Sequence, residues 1–308
     1  MKNIVIQTND RFTRESWLKR FEENFEGNYE DNFLVQFVSD TKSLLVKLPQ
    51  ADYCFSFNFP EFELVKHLEL LYLGISNINY LDKYNIPKEF NLETSKGIAS
   101  SIIAEHSLLM ALSLIREFPS AILNQKKRKW DQAAFFEANI RSIRDYNIGI
   151  LGIGNNGTAI AEIFQNIGCN VLGYSNNKGK DKSINKWYLK DQLNQFLTDS
   201  EIIIVALPLR TDTCHFIDEE KLLAMGGETM IINIARGEII NENALYKALK
   251  NNQIKAAALD VFEKEPLSRW SQLWKLPNLI ITPHTAGNIH FLINEIQNDF
   301  ISKVRFNA

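Results

Sequence analysis

The sequence predicts an α/β protein built on two parallel β-sheets. Three observations carry that prediction. Short apolar, β-branched runs recur without the polar alternation of a half-exposed strand, so each reads as a strand buried on both faces. Helical patterns separate the runs, as crossovers between parallel strands require. The runs also fall into two groups, with one long apolar helical stretch between them.

In chain order, the first group comprises residues 4–6, 34–38, 53–57 and 70–73. A helical stretch follows over about 97–118, with Ile102, Ile103, Leu108, Leu109, Ala111 and Leu112 so dense that it reads as core or subunit interface. A hinge is expected near 94–97. The second group comprises 148–151, 171–174, 202–206, 230–234, 256–259 and 279–282. The basic run Lys126-Lys127-Arg128-Lys129 reads as a solvated loop or helix face, and Trp130 after it as a packed core residue or, alternatively, a ring that reaches a partner subunit's pocket. There is no internal repeat.

A chain of 308 residues can bury one large core or two ordinary ones. With 45% hydrophobic and 23% charged residues it has a globular balance. A net charge of −3 gives no reason to expect nucleic acid or an anionic membrane as partner. No apolar run reaches bilayer-spanning length, and MKNIVIQTND lacks a signal peptide's apolar region and cleavage site, so a cytoplasmic protein is expected. Cys54, Cys169 and Cys214 are odd in number and unpaired in spacing. They predict no disulfide and no metal site, and all three read as small core residues.

Gly152-Ile153-Gly154-Asn155-Asn156-Gly157 follows the strand 148–151 and opens the helical pattern TAIAEIFQNIG. That context is what a phosphate-binding turn needs. Gly152 allows the tight turn, Gly154 lets backbone approach a pyrophosphate, and Gly157 lets helix and strand pack closely. The helix N-terminus offers free N–H groups to the phosphates.

Four later segments each begin at or near a strand end: LPLRTDTCHFI (207–217), INIARGEII (232–240), ALDVFEKEPL (258–267) and ITPHTAGN (281–288). They deliver Arg236, Asp260 with Glu265, and His284. Arg236 offers a planar fork for a substrate carboxylate. His284 suits a general acid, and Glu265 suits the group that fixes its tautomer. His106 and His215 have no such company; His106 reads as interface or core and His215 as a surface residue near a cofactor. His67 and His290 lie in helical patterns and read as structural.

In GIGNNG, Ala104-Glu105-His106, LPLRTDT, NIARGE, LDVFEKEP and TPHTAG, in this order and at these distances, the chain resembles the D-isomer-specific 2-hydroxyacid dehydrogenase family from about Tyr53 to Gly287. In length and in FSFNFPEF (55–62) it looks most like the glyoxylate/hydroxypyruvate reductase branch. The resemblance implies two Rossmann-like domains, with a dinucleotide-binding domain (97–287) inserted into a smaller flavodoxin-like substrate domain (1–96 and 288–308). It implies a homodimer formed through the helix of the AEH segment. It gives Arg236, Glu265 and His284 the catalytic roles and places Asp260 beside the nicotinamide. Asn155 and Asn156 would contact the pyrophosphate, and Leu207 and Pro208 the adenosine half. Ile234, Ala235, Ala286 and Gly287 would line the nicotinamide end. The implied reaction is reduction of a small 2-oxo acid to the D-2-hydroxy acid, with hydride from the nicotinamide and a proton from His284.

Two departures bear on specificity. The end of strand 171–174 usually carries an acid for the ribose 2′-hydroxyl, but here stands Ser175, followed by Lys178, Lys180 and Lys182. A hydroxyl and lysines favour a 2′-phosphate, hence NADP over NAD, unless the loop is a weakly discriminating lysine-rich surface. In the substrate loop Leu73-Gly74-Ile75-Ser76, Ser76 replaces the family's second glycine, while Phe57, Asn58, Phe59 and Pro60 would narrow the pocket. Gly74, Ile75 and Ser76, with Arg236 and His284, are the expected substrate contacts. Formate dehydrogenases carry glutamine where Glu265 stands. The alternatives are a reductase for a different 2-oxo acid, or an NAD(P)-binding regulatory scaffold resembling the family's corepressors.

Overall fold

The computed structural model describes the chain apart from residues 27, 76–80, 82–83, 138–139, 288–289 and 308, together with the side chains of 136–137, 290–291 and 306–307. It divides into two compact units, one of Met1–Ala99 with Ile289–Ala308 and the other of Ser100–Asn288.

In the first unit, strands β1 (Lys2–Gln7), β2 (Phe33–Val38), β3 (Tyr53–Ser56), β4 (Leu70–Leu73) and β5 (Leu92–Thr94) form one parallel sheet in the order β2-β1-β3-β4-β5. Helices α1 (Arg14–Asn24), α2 (Thr41–Lys47) and α3 (Phe62–Val65) connect them, and the last helix of the chain, α11 (His290–Asn307), returns to pack on α1. Thr13 caps α1 and Asp40 caps α2, each side chain accepting an otherwise unclaimed backbone N–H. The core under α1 and α11 is aromatic. Trp17 meets Phe55 and Phe300 edge-on, with ring centroids 4.8 and 5.6 Å apart. Tyr72 donates its hydroxyl to Asp299 at 2.7 Å, which fixes α11 against β4.

In the second unit, β6 (Asn147–Leu151), β7 (Asn170–Tyr174), β8 (Lys186–Tyr188), β9 (Ile202–Val205), β10 (Met230–Asn233), β11 (Ala256–Leu259) and β12 (Leu279–Ile281) form a parallel sheet in the order β12-β11-β10-β9-β6-β7-β8. The order reverses between β6 and β9, and ligands of such sheets bind outside the carboxyl ends of the strands at that point. The central strands IIIV and MIIN are buried throughout, which explains their unbroken apolar character. Helices α4 (Ser100–Ile115), α5 (Phe118–Lys126), α6 (Gln132–Glu137), α7 (Asn155–Asn166), α8 (Leu193–Asp199), α9 (Glu219–Met225) and α10 (Glu242–Lys250) belong to the same unit.

Several sequence expectations need correction. The stretch expected as one helix over 97–118 breaks at Glu117, whose φ is +50°, and Pro119 opens a second helix. Strands β5 and β8 went unread because LET and KWY are three residues long and partly exposed, with no apolar run to mark them. Trp130 is 92% exposed and is no core residue. Cys54 and Cys169 are buried, but Cys214 lies exposed in the loop after β9. Among the described residues no helix is long and apolar enough to cross a membrane.

Candidate active site

The second unit gathers the sequence-predicted residues at the carboxyl ends of its strands. The turn after β6 begins at Gly152, whose φ of +104° is left-handed backbone that only glycine adopts without strain. A Cβ on Gly157 would lie 2.1 Å from the Gly152 carbonyl oxygen, so helix α7 can dock only with a glycine there. Gly154 differs: a Cβ would meet nothing within 4 Å. It is also the N-cap of α7 and supplies no side-chain cap, whereas Asp218 and Asn241 cap α9 and α10. Among the described residues the first turn of α7 therefore has no N-cap side-chain bond, and the space at Gly154 is open. Asn155 is exposed, and Asn156 is tied to α4 through the Ser100 hydroxyl at 2.8 Å.

At the end of β7, Ser175 donates its hydroxyl to the Asn177 carbonyl within its own loop, and Lys178, Lys180 and Lys182 are exposed beyond it. After β9, Leu207 is half-buried and Pro208 exposed. Thr213 closes this loop by accepting from the Arg210 N–H and donating to the Pro208 carbonyl, both at 2.7 Å.

After β10, the buried Asn233 accepts from the Ala235 N–H at 3.0 Å and donates to the Arg236 carbonyl at 2.9 Å. It thereby shapes the turn that presents Arg236 and buries Ile234 and Ala235. The Arg236 guanidinium also donates to the Ala235 carbonyl at 2.6 Å. Gly237 lies flat on the loop after β11, where a Cβ would stand 1.8 Å from the Phe262 carbonyl carbon. Nearby, His215 pairs with Glu263 at 3.0 Å.

Asp260, at the end of β11, is 1% exposed. A buried carboxylate needs donors around it. Oδ1 accepts from the Thr282 hydroxyl at 2.5 Å and the Thr285 N–H at 2.9 Å, and Oδ2 accepts from the Ala286 N–H at 2.9 Å. Its carbonyl receives the His284 N–H at 2.8 Å. Asp260 thus organises the loop after β12 from inside, with Ala286 buried and Gly287 half-buried. His284 takes a φ of +53°, a strained conformation for a non-glycine residue that these bonds hold in place.

The His284 ring is exposed, with Nδ1 2.7 Å from Glu265 Oε2. Glu265 Oε1 accepts the Phe262 N–H at 3.0 Å. Burial alone would push the Glu265 carboxyl up. The His284 hydrogen bond, the Phe262 N–H and the charges of His284 and Arg236 outweigh it, and the group is held below its ordinary value. Arg236, Glu265 and His284 therefore form one electrostatic cluster from three loops.

In the first unit, a Cβ on Gly74 would stand 2.4 Å from the Phe55 ring, so this loop position is closed to other residues. Ile75 is half-buried and packs with the core under α2. Ser76 lies outside the described residues.

Sequence reading passed over Asn233 and Thr282. Asn233 interrupts and Thr282 closes an otherwise apolar run, and a lone polar residue at a strand end is the signal that would have found them. It also denied His106 and His215 any carboxylate company, yet His106 lies 3.6 Å from Asp260 and His215 3.0 Å from Glu263.

Residues 108–286 match the family model described as D-isomer specific 2-hydroxyacid dehydrogenase, NAD binding domain. The chain is 35% identical over 206 residues to the D-3-phosphoglycerate dehydrogenase of Methanocaldococcus jannaschii, covering 63% of this chain and 38% of that protein. It is 37% identical over 158 residues to the glyoxylate reductase of Pyrococcus horikoshii, covering 51% of this chain and 46% of that protein. The chain thus spans less than half the length of these curated relatives. In fold it is similar to the crystal structure of a D-isomer specific 2-hydroxyacid dehydrogenase from Xanthobacter autotrophicus Py2 in complex with NADPH and MES, with a TM-score of 0.79 at 23% identity over 100% of this chain and 95% of that one. On the match across residues 108–286, this chain belongs to the D-isomer specific 2-hydroxyacid dehydrogenase family, with its NAD-binding domain in that stretch.

Proposed function

We propose that the chain reduces a small 2-oxo acid of the glyoxylate or hydroxypyruvate kind to the D-2-hydroxy acid, using NADPH in preference to NADH. The observation that carries this reading is the 2.7 Å contact between His284 Nδ1 and Glu265 Oε2, with Arg236 acting on the same carboxylate. Glu265 holds the proton on Nδ1 and leaves Nε2 as the end of the ring that gives a proton to the forming hydroxyl. Arg236 binds the substrate carboxylate through its planar fork and so orients the carbonyl.

The open space at Gly154 and the uncapped start of α7 suit a pyrophosphate. Gly152, Gly154, Asn155, Asn156 and Gly157 would hold it, Ser175 and Lys178 the 2′-phosphate, and Leu207 and Pro208 the adenosine. The turn at Ile234 and Ala235 and the loop at Asp260, Ala286 and Gly287 would border the nicotinamide. The bound dinucleotide supplies the hydride. In the first unit, Phe57 stands edge-on to Phe12 and Phe55 at 5.3 and 5.4 Å, packed on that unit's aromatic core.

A homodimer is part of the proposal. Leu109, Leu112, Phe118, Ile122 and Leu123 of α4 and α5 are exposed in one stretch of chain, and clustered exposed apolar side chains mark an interaction surface.

Initial rates with glyoxylate, hydroxypyruvate, pyruvate and phenylpyruvate, and with D-3-phosphoglycerate in the oxidative direction, each with both cofactors, test the reading. Turnover of the small acids with higher kcat/KM for NADPH is expected. Turnover of phenylpyruvate or D-3-phosphoglycerate alone overturns the substrate, and equal or better efficiency with NADH overturns the cofactor preference.

A further inference from the structure

His106 lies on α4, a helix that carries none of the catalytic residues assigned above, and its Nε2 reaches the loop that carries His284. Nε2 is 3.2 Å from Thr282 Oγ1 and 3.6 Å from Asp260 Oδ1. The Thr282 hydroxyl has one proton, and the buried carboxylate at 2.5 Å claims it. The contact with His106 therefore works only if Nε2 carries a hydrogen and donates it to the Thr282 oxygen. One continuous path results. It runs from His106 to Thr282, to Asp260 Oδ1, and from that carboxylate to the N–H groups of Thr285 and Ala286, while the Asp260 carbonyl holds the His284 N–H.

We infer that His106 is a positioning residue, which acts through Thr282 and Asp260 to hold the 282–286 loop and so aims the His284 imidazole. The inference rests on His284 being the proton donor. A histidine serving only to fill the helix interface would need no N–H at that atom, because any ring of similar size would pack as well. The path also explains why His284 keeps a left-handed conformation on an exposed loop, since its neighbours on both sides are tied to a carboxylate that α4 anchors.

The test uses the full chain with His106→Ala, His106→Gln, Thr282→Val, Thr282→Ser and the His106→Ala/Thr282→Val pair. Loss of one such hydrogen bond should lower kcat about tenfold in His106→Ala and in Thr282→Val, with the Kd of reduced cofactor within about threefold of wild type. Glutamine can place an N–H near the Nε2 position and serine keeps the hydroxyl, so both conservative variants should recover most of the rate. The double variant should be no slower than the worse single, because the two residues act in series. Amide exchange over 284–286 should quicken in His106→Ala and not in His106→Gln. Multiplying losses in the double variant, no rescue by glutamine, or unchanged exchange overturns the inference. Should His106→Ala fail to fold, the two Thr282 variants and His106→Gln still decide it. If the wild type reduces no 2-oxo acid, the reading of the active site fails, and the exchange measurement still judges His106.

Discussion

Glu265 divides its two oxygens between a backbone N–H of its own loop and the ring nitrogen of His284. Its carboxyl is held below its ordinary value in the fold, so it contributes stability above the unfolded pKa. That contribution is lost as pH falls through the folded value. Thermal melts should accordingly show wild type and Glu265→Gln separated at neutral pH and converging toward acid, below about pH 4. In the same variant kcat should fall by about 10²-fold, because the amide no longer fixes the charge and tautomer of His284. Melts that stay equally far apart at all pH values would show that the carboxylate's ionisation plays no part. The three charged members of this cluster were legible in the sequence because each follows an apolar run, where a fork, an imidazole and a carboxylate stand out. Asn233 and Thr282 were not, since Asn233 works through short-range bonds to the backbone of its own turn and Thr282 through partners far away in the sequence, His106 and Asp260.

At the scale of the elements, the β6-turn-α7 corner assigns its glycines different tasks. Gly157→Ala would drive a methyl against the Gly152 backbone and should cost about 1–3 kcal/mol in a urea melt. Gly154→Ala meets no atom of the protein, so the melt should hardly change while the affinity for reduced cofactor falls at least tenfold, an order-of-magnitude expectation for blocking close backbone approach to a phosphate. Equal effects in both assays would remove the distinction. Buried parallel strands announce themselves by apolar runs, and ten of the twelve strands among the described residues were read from the sequence within a residue or two of their observed ends. β5 and β8 are edge strands of three residues, placed by pairing with β4 and β7 rather than by their own composition. The break after α4 has a sequence signal in Pro119, which cannot continue a helix and opens the next one, and the turn itself is Glu117's left-handed backbone.

At the scale of the whole molecule, the apolar stretch on α4 and α5 predicts a second copy of this chain as partner. Leu109→Lys with Leu123→Lys should convert a dimer to a monomer in light scattering after gel filtration. Both residues are more than half exposed, so the melt of the isolated chain should change little. A wild type that runs as a monomer at micromolar concentration would end this expectation. Trp130 was expected inside, and its exposure leaves a large ring in water just after the basic run.

The return of α11 to the first unit also sets a timetable for synthesis. Ile296, Phe300, Ile301 and Val304 complete the aromatic core around Trp17 and Phe55, yet they leave the ribosome only after the whole of the second unit. While it is being made, the nascent chain therefore completes its second unit while the rings of the first still lack their cover. Native domains usually fold in the order they emerge. Here the strands made before the second unit must wait for a helix made after it, and during that wait their uncovered rings offer chaperones a surface to hold.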